Sequence, residues 1–222
     1  MAASGGANRP DTSDMVMIHA VFRAELEAVP GRVRAVGGAE LEQAGLVGAH
    51  YRFLLELIGT HHLGEDALLW PKLNQRAPLE AALVRRMESQ HTTIAGLLPE
   101  VAALLGRWGR SADPDAAREL VDRLAQFNGA LGEHLGEEEE GILPIAAEHL
   151  SVPEWAALRE HSLRSVPPEW LPIVLGLCLR RLPPDRRGNF LAEVPHAAVA
   201  QWQGGGQRRY EDHMERLDAA SL

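Results

Sequence analysis

The chain predicts an all-α protein: an up-down-up-down four-helix bundle followed by a C-terminal helical extension. Three observations carry that expectation. Apolar residues recur at helical spacing along most of the chain, and no alternating apolar and polar run is long enough for a strand. Proline and glycine punctuate that periodicity so as to leave four long segments. A histidine–carboxylate motif occurs twice, offset by 73 residues, as the internal duplication of a helical hairpin would place it.

Residues 1–13 are small and polar and read as a flexible N-terminus. Helix A starts near Asp14, with Met15, Ile18, Phe22, Leu26 and Val29 as its apolar stripe, and Pro30-Gly31 is expected to kink or interrupt it. A turn at Gly37-Gly38 leads into helix B, from about Ala39 to Trp70, ending near Pro71. Pro78 suits the first position of helix C, which reaches about Trp108 with a kink expected at Pro99. Asp113-Pro114 reads as a cap and first-turn proline opening helix D, which continues to about His149. Ser151 and Glu154 form a capping box for a shorter fifth helix. Prolines at 167, 168, 172, 183, 184 and 195, then Gly204-Gly205-Gly206, cut the remainder into short helices. The expected organisation is a bundle over residues 14–150 and an extension over 151–222, docked through Trp155, Trp170, Phe190 and Trp202.

Composition narrows the function. With 45% apolar residues the chain can build a sizeable core without a metal or disulfide to fold it. The single cysteine, Cys178, cannot form an internal disulfide, and no secretory leader opens the sequence, so a cytoplasmic protein is expected. No apolar stretch approaches the roughly 18–20 residues of a membrane span. A net charge of −9 argues against nucleic acid as a partner. Arginines gather in the C-terminal third (Arg180, Arg181, Arg186, Arg187, Arg208, Arg209); solvated helix faces explain them more simply than an anion or partner site.

The motif copies are His61-His62-Leu63-Gly64-Glu65-Asp66 and His134-Leu135-Gly136-Glu137-Glu138-Glu139. Each has a proline six residues after the repeated glutamate, Pro71 and Pro144. His19 and His91 anticipate them at an offset of 72. Counted from turns near residues 38, 76 and 112, the four histidines fall in one layer to within roughly 6 Å, at about 1.5 Å per residue. Histidine and glutamate four residues apart share a helix face. Facing inward, these segments deliver His19, His61, Glu65, His91, His134 and Glu138 to the bundle centre. Four imidazoles and two carboxylates are the usual donors for a pair of iron ions, and the lack of thiolate argues against zinc ribbons and iron–sulfur clusters. Such a set leaves coordination positions open even with an oxo or hydroxo bridge, whereas a structural site closes its sphere.

Neighbouring residues carry two readings each. His62 lies about 100° around the helix from His61 and is either a ligand or supporting group, or an ordinary polar residue. His50 is a hydrogen-bonded histidine or lines a channel. Asp66 and Glu139 accept hydrogen bonds from the ligand imidazoles or make surface ion pairs. His149, His161, His196 and His213 are expected to be exposed. Phe22, Phe53, Leu57, Leu69, Ile94, Phe127 and Ile142 are expected in the core.

The pattern H…H-x-x-x-E…H…H-x-x-x-E resembles the hemerythrin-like, or HHE cation-binding, family over about residues 14–150. The resemblance implies a non-haem di-iron centre held by His19, His61, Glu65, His91, His134 and Glu138. Oxygen-carrying hemerythrins have a second third-helix histidine where this chain has Ala95, and a last carboxylate five residues after its histidine, so that Glu139 competes with Glu138. One iron then lacks a ligand or recruits His62, Asp66 or a tyrosine.

The expected function is binding of dioxygen, nitric oxide or peroxide at that centre, for sensing or detoxification, with a protein partner or self-association through the extension. A catalase-like enzyme that decomposes peroxide and a metal-free helical interaction module are the alternatives. The residues leave binding and catalysis both open.

Overall fold

Described residues 9–38 and 40–219 of the computed structural model contain helices and connecting turns and no strand. Residues 1–8 of the expected flexible N-terminus, and Ala39, the expected start of helix B, lie outside the described residues. The bundle segment comprises α1 (Ser13–Ala35), α2 (Leu41–Leu68), α3 (Trp70–Arg76), α4 (Ala81–Ser111), α5 (Pro114–Glu137) and α6 (Leu143–His149). Each long helix packs against two neighbours, closing the ring α1–α2–α4–α5. Phe22, Leu54, Ile58, Ile94 and Phe127 are among the side chains that fill its centre, all essentially without solvent contact. The other expected core residues, Phe53, Leu57, Leu69 and Ile142, are buried as well.

Several prolines act differently from the expectation. Pro30 and Pro99 lie inside α1 and α4, and neither ends its helix. Each removes one backbone donor, but buried residues on both sides, Val29 and Val33, Ile94 and Val101, hold the helix against its neighbours. Pro71 does not terminate helix B; it stands in the first turn of the separate helix α3. Pro78 opens a 3-10 turn, Pro78–Glu80, ahead of α4. Helix D is likewise divided. A π-helical turn over Glu138–Ile142 follows α5, and Pro144 sits in the first turn of α6. Both motif copies therefore run into a break and a short proline-led helix. The α4–α5 turn follows its sequence signal, with Ala112 left-handed (φ 48°) and the Asp113 carboxylate accepting from the Asp115 amide at 2.8 Å.

The remaining helices are α7 (Val152–Arg164), α8 (Leu171–Arg181), α9 (Pro184–Glu193), α10 (His196–Gln201) and α11 (Gln207–Asp218). The capping box forms, the Glu154 carboxylate accepting from the Ser151 amide at 3.0 Å. Helix α7 packs on α2, α8 on α1, and α11 on α8 and α2. Trp155 is buried, and Trp170 stacks on Phe53 with ring centres 4.3 Å apart. A buried polar cluster ties α11 to the bundle. Arg32 donates to Tyr51 Oη at 2.6 Å, to Glu25 at 3.0 Å and to Asp218 at 3.0 Å. His50 Nδ1 meets His213 Nε2 at 3.0 Å. His50 is thus a hydrogen-bonded core histidine, and half-buried His213 departs from the expected exposure because it closes this cluster. His149 and His161 are also half-buried, and His196 alone of the four is exposed.

Helices α2 and α4 cross closely at Gly48 and Gly109. A Cβ on Gly48 would come 3.2 Å from the Leu105 carbonyl oxygen, and one on Gly109 would come 3.2 Å from that of Ala44. Backbone oxygens on both sides leave little room to yield. Gly109→Val is expected to destabilise the protein by about 1–3 kcal/mol. Gly129→Ala, in the interior of α5 with open space around it, should instead stabilise by up to about 1 kcal/mol. Urea unfolding midpoints check both signs.

Candidate metal centre

The six predicted side chains converge. Helix α1 contributes His19, α2 contributes His61 and Glu65, α4 contributes His91, α5 contributes His134, and the π turn begins at Glu138. His19, Glu65, His134 and Glu138 have no solvent exposure, and His61 and His91 are also buried. The imidazoles form two facing pairs: His19 and His61 bring their Nε2 atoms to 3.2 Å, and His91 and His134 to 3.1 Å.

Each carboxylate reaches both pairs. Glu65 places Oε1 3.1 Å from His61 Nε2 and Oε2 3.4 Å from His91 Nε2. Glu138 places Oε2 3.4 Å from His19 Nε2 and 3.6 Å from His134 Nε2. A seventh side chain joins them. His62 is buried and stacks on His91 with ring centres 4.3 Å apart. Two groups could therefore hold a metal ion, His19–His61–Glu65–Glu138 and His62–Glu65–His91–His134, with Glu65 common to both.

Outer partners orient the rings. Glu139 Oε1 lies 2.9 Å from His19 Nδ1 and accepts from Arg23, and Asp66 Oδ1 lies 2.7 Å from His91 Nδ1 and accepts from Trp70 Nε1 at 2.8 Å. A carboxylate can only accept, so these contacts place the proton on Nδ1 and turn the Nε2 lone pair inward. Gln90 Oε1 stands 3.3 Å from His134 Nδ1 and does the same there. His91 and His134 then aim two lone pairs at each other across 3.1 Å, an arrangement that a cation between or beside them relieves. Glu139 is thereby separated from Glu138: it braces His19 from outside, while Glu138 enters the cluster. The π turn starts at this residue, and such local widening recurs at functional sites.

The donor set fits a metal by a second criterion. Both oxygens of Glu65, both oxygens of Glu138 and His62 Nε2 are buried without a hydrogen bond. Orphaned buried polar atoms are uncommon and costly, and five on one cluster mark a place for a positive charge. Electrostatics agree. Burial, reinforced by the charge of Glu65, pushes the Glu138 carboxyl up to about 8. Burial, with Asp66 nearby, holds Glu65 well above the ordinary carboxylate range. Burial and neighbouring imidazoles depress His61 and His62 well below their usual value and His134 to about 2. At neutral pH the Glu138 carboxyl of the metal-free cluster is therefore mainly protonated, and the His134 imidazole is neutral.

Sequence reasoning left His62 undecided, and the reason is visible in the ring of helices. Its signal was the departure at Ala95, which is exposed beside a shallow surface depression bordered by His62, Asp66 and His91. The third imidazole of the group with His91 and His134 comes from α2, as His62.

A four-helix bundle with twin histidine–carboxylate groups at mid-height defines a class of cation-binding helical proteins. The chain belongs to the hemerythrin HHE cation binding domain family, whose model matches residues 11–146, well over half its length. No curated protein and no solved structure matches the chain.

Metal-free protein should lose stability as pH rises from about 6.5 to about 8. Raised carboxyls bind protons more tightly when folded, so their stabilising effect disappears as pH climbs through their folded values. Depressed histidines act oppositely, but only below their unfolded value of 6.5. The expected slope is up to about 1.4 kcal/mol per pH unit for each proton. It should flatten in Glu138→Gln, as denaturant titrations across that window will show.

Proposed function

We propose that the chain is a non-haem di-iron protein that binds a small diatomic ligand, dioxygen or nitric oxide, or peroxide, for sensing or detoxification in the cytoplasm. The observation that carries this reading is the span of Glu65 and Glu138, each within 3.6 Å of an imidazole from both histidine pairs. One cation would leave part of that set unsatisfied, whereas two neighbouring cations use all of it. Imidazole with carboxylate suits iron, and the chain brings no thiolate to the cluster.

Residue roles follow from position. His19 and His61 would hold one ion; His62, His91 and His134 would hold the other; Glu65 and Glu138 would bridge them. Glu139, Asp66 and Gln90 keep the imidazoles in the metal-binding tautomer. Bound iron would supply a redox-active Lewis acid with open positions, and the half with two imidazoles has more of them than the half with three. Phe22, against His61 at 5.3 Å between ring centres, and Ile94, fully buried, keep water from the cluster. Among the described residues no helix is long and apolar enough to cross a membrane.

Iron-loaded protein should contain two ions per chain and show ligand-to-metal bands that change on adding nitric oxide. His62→Ala is expected to weaken the second iron at least about 10-fold, moving stoichiometry toward one at limiting iron, while His196→Ala leaves it at two. Elemental analysis with optical spectra checks this. Unchanged melting after chelation, with no iron retained, would reverse the reading in favour of an interaction module. Rapid oxygen evolution from peroxide would move it to catalysis. Because the Glu138 carboxyl is pushed up to about 8 in the metal-free protein, iron uptake at pH 7 should release protons, that of Glu138 among them. Calorimetry in buffers of different ionisation enthalpy counts them, and the number should fall above pH 8.

A further inference from the structure

A cavity of about 100 Å³ lies between the bundle and the helices that follow it. Its floor is formed by Phe22 and Leu57 beside His61 and Glu65, so it ends at the metal cluster. Its roof is formed by Leu158 of α7, Val174 and Cys178 of α8, and Phe190 of α9. Every roof residue lies beyond residue 146, where the family match ends. The chamber is therefore an addition that this chain makes to the shared bundle.

Its chemistry selects the guest. Between mouth and floor the lining is largely hydrocarbon, and burial pushes the Cys178 thiol up to about 12, so that group stays neutral. Water has few partners in such a space, and apolar cavities of this kind stay dry and accept xenon or small hydrocarbons. A volume of about 100 Å³ is far below the roughly 300–1,000 Å³ of sites for drug-sized molecules. What remains is a small uncharged gas.

The roof is also fastened. The Asp14 carboxylate accepts from Trp155 Nε1 at 2.9 Å and from Arg159 at 3.3 Å, and Arg159 pairs with Glu193 of α9 as well. Helix α7 sits so close to α2 that a Cβ on Gly64 would come 3.0 Å from the His161 ring. The opposite half of the cluster has no such cover, since His62 and His91 border the shallow depression with Asp66, Glu88 and Thr92.

We infer that α7, α8 and α9 roof a gas-holding chamber that delivers a diatomic ligand to the His61 and Glu65 edge of the centre. Delivery rests on the di-iron reading above, whereas occupancy by gas does not, and this separation sets the experiment. Metal-free protein is examined by xenon NMR and in xenon-pressurised crystals. Iron-loaded protein is examined by stopped-flow mixing with nitric oxide. One xenon is expected against Phe22 and Leu57. Val174→Phe should fill the space, abolish xenon binding and slow nitric oxide association at least tenfold, with iron content unchanged. Ser162→Phe, which enters the chamber from half-buried α7, repeats the measurement with less crowding of α8.

A folded parent that takes up no xenon in this space would overturn the chamber, even with an intact nitric oxide response. So would folded, iron-loaded variants that bind nitric oxide as fast as the parent. Xenon bound as expected but no nitric oxide response from the iron-loaded parent would overturn delivery together with the di-iron reading, leaving only the gas-binding cavity.

Discussion

Two carboxylates buried without hydrogen bonds are the constraint on which the rest of the structure turns. Glu65 and Glu138 have no solvent exposure, and none of their four oxygens finds a donor. Burying an unpaired carboxylate is prohibitive, so each group either keeps a proton or meets a cation. His61, His62 and His134 do not supply that charge at neutral pH, because burial depresses all three. A bundle core assembled this way is incomplete as hydrocarbon packing and complete as a cation site. The apolar layers on either side of it, with Phe22, Ile58, Ile94 and Phe127 on one and Leu69, Leu73, Val84 and Ile142 on the other, all without solvent exposure, carry the stability that the polar layer does not.

The bundle and six of the seven clustered side chains were legible in the sequence because helical repetition converts spacing into height and face. The four histidines could be placed in one layer by counting rise alone, and the duplicated H-x-x-x-E fixed which glutamates recur. His62 escaped that logic. It is adjacent to His61 and so points about 100° away, which in an isolated helix would mean leaving the site. Helix α2, however, occupies a corner of the ring, packed on α1 to one side and α4 to the other. A step of about 100° carries a side chain from one neighbour to the next, so His61 faces His19 while His62 stacks on His91.

Other features depended on long-range partners and left no local signal. Pro30 and Pro99 read as breaks, yet buried neighbours keep both helices continuous. The π turn at Glu138 is invisible to a 3.6-residue period. His213 lies 163 residues from His50, and only the return of α11 to the bundle brings them within hydrogen-bond distance.

The helices beyond residue 150 give the centre a direction. On one side the cluster meets the largely apolar cavity of about 100 Å³ that α7, α8 and α9 help to line. On the other, His62, His91 and Asp66 border a surface depression of mixed lining. Ala95 of α4 is exposed at that depression, and His62 of α2 is the third imidazole in the group beside it. The group with three imidazoles therefore borders the surface depression, and the group with two borders the cavity.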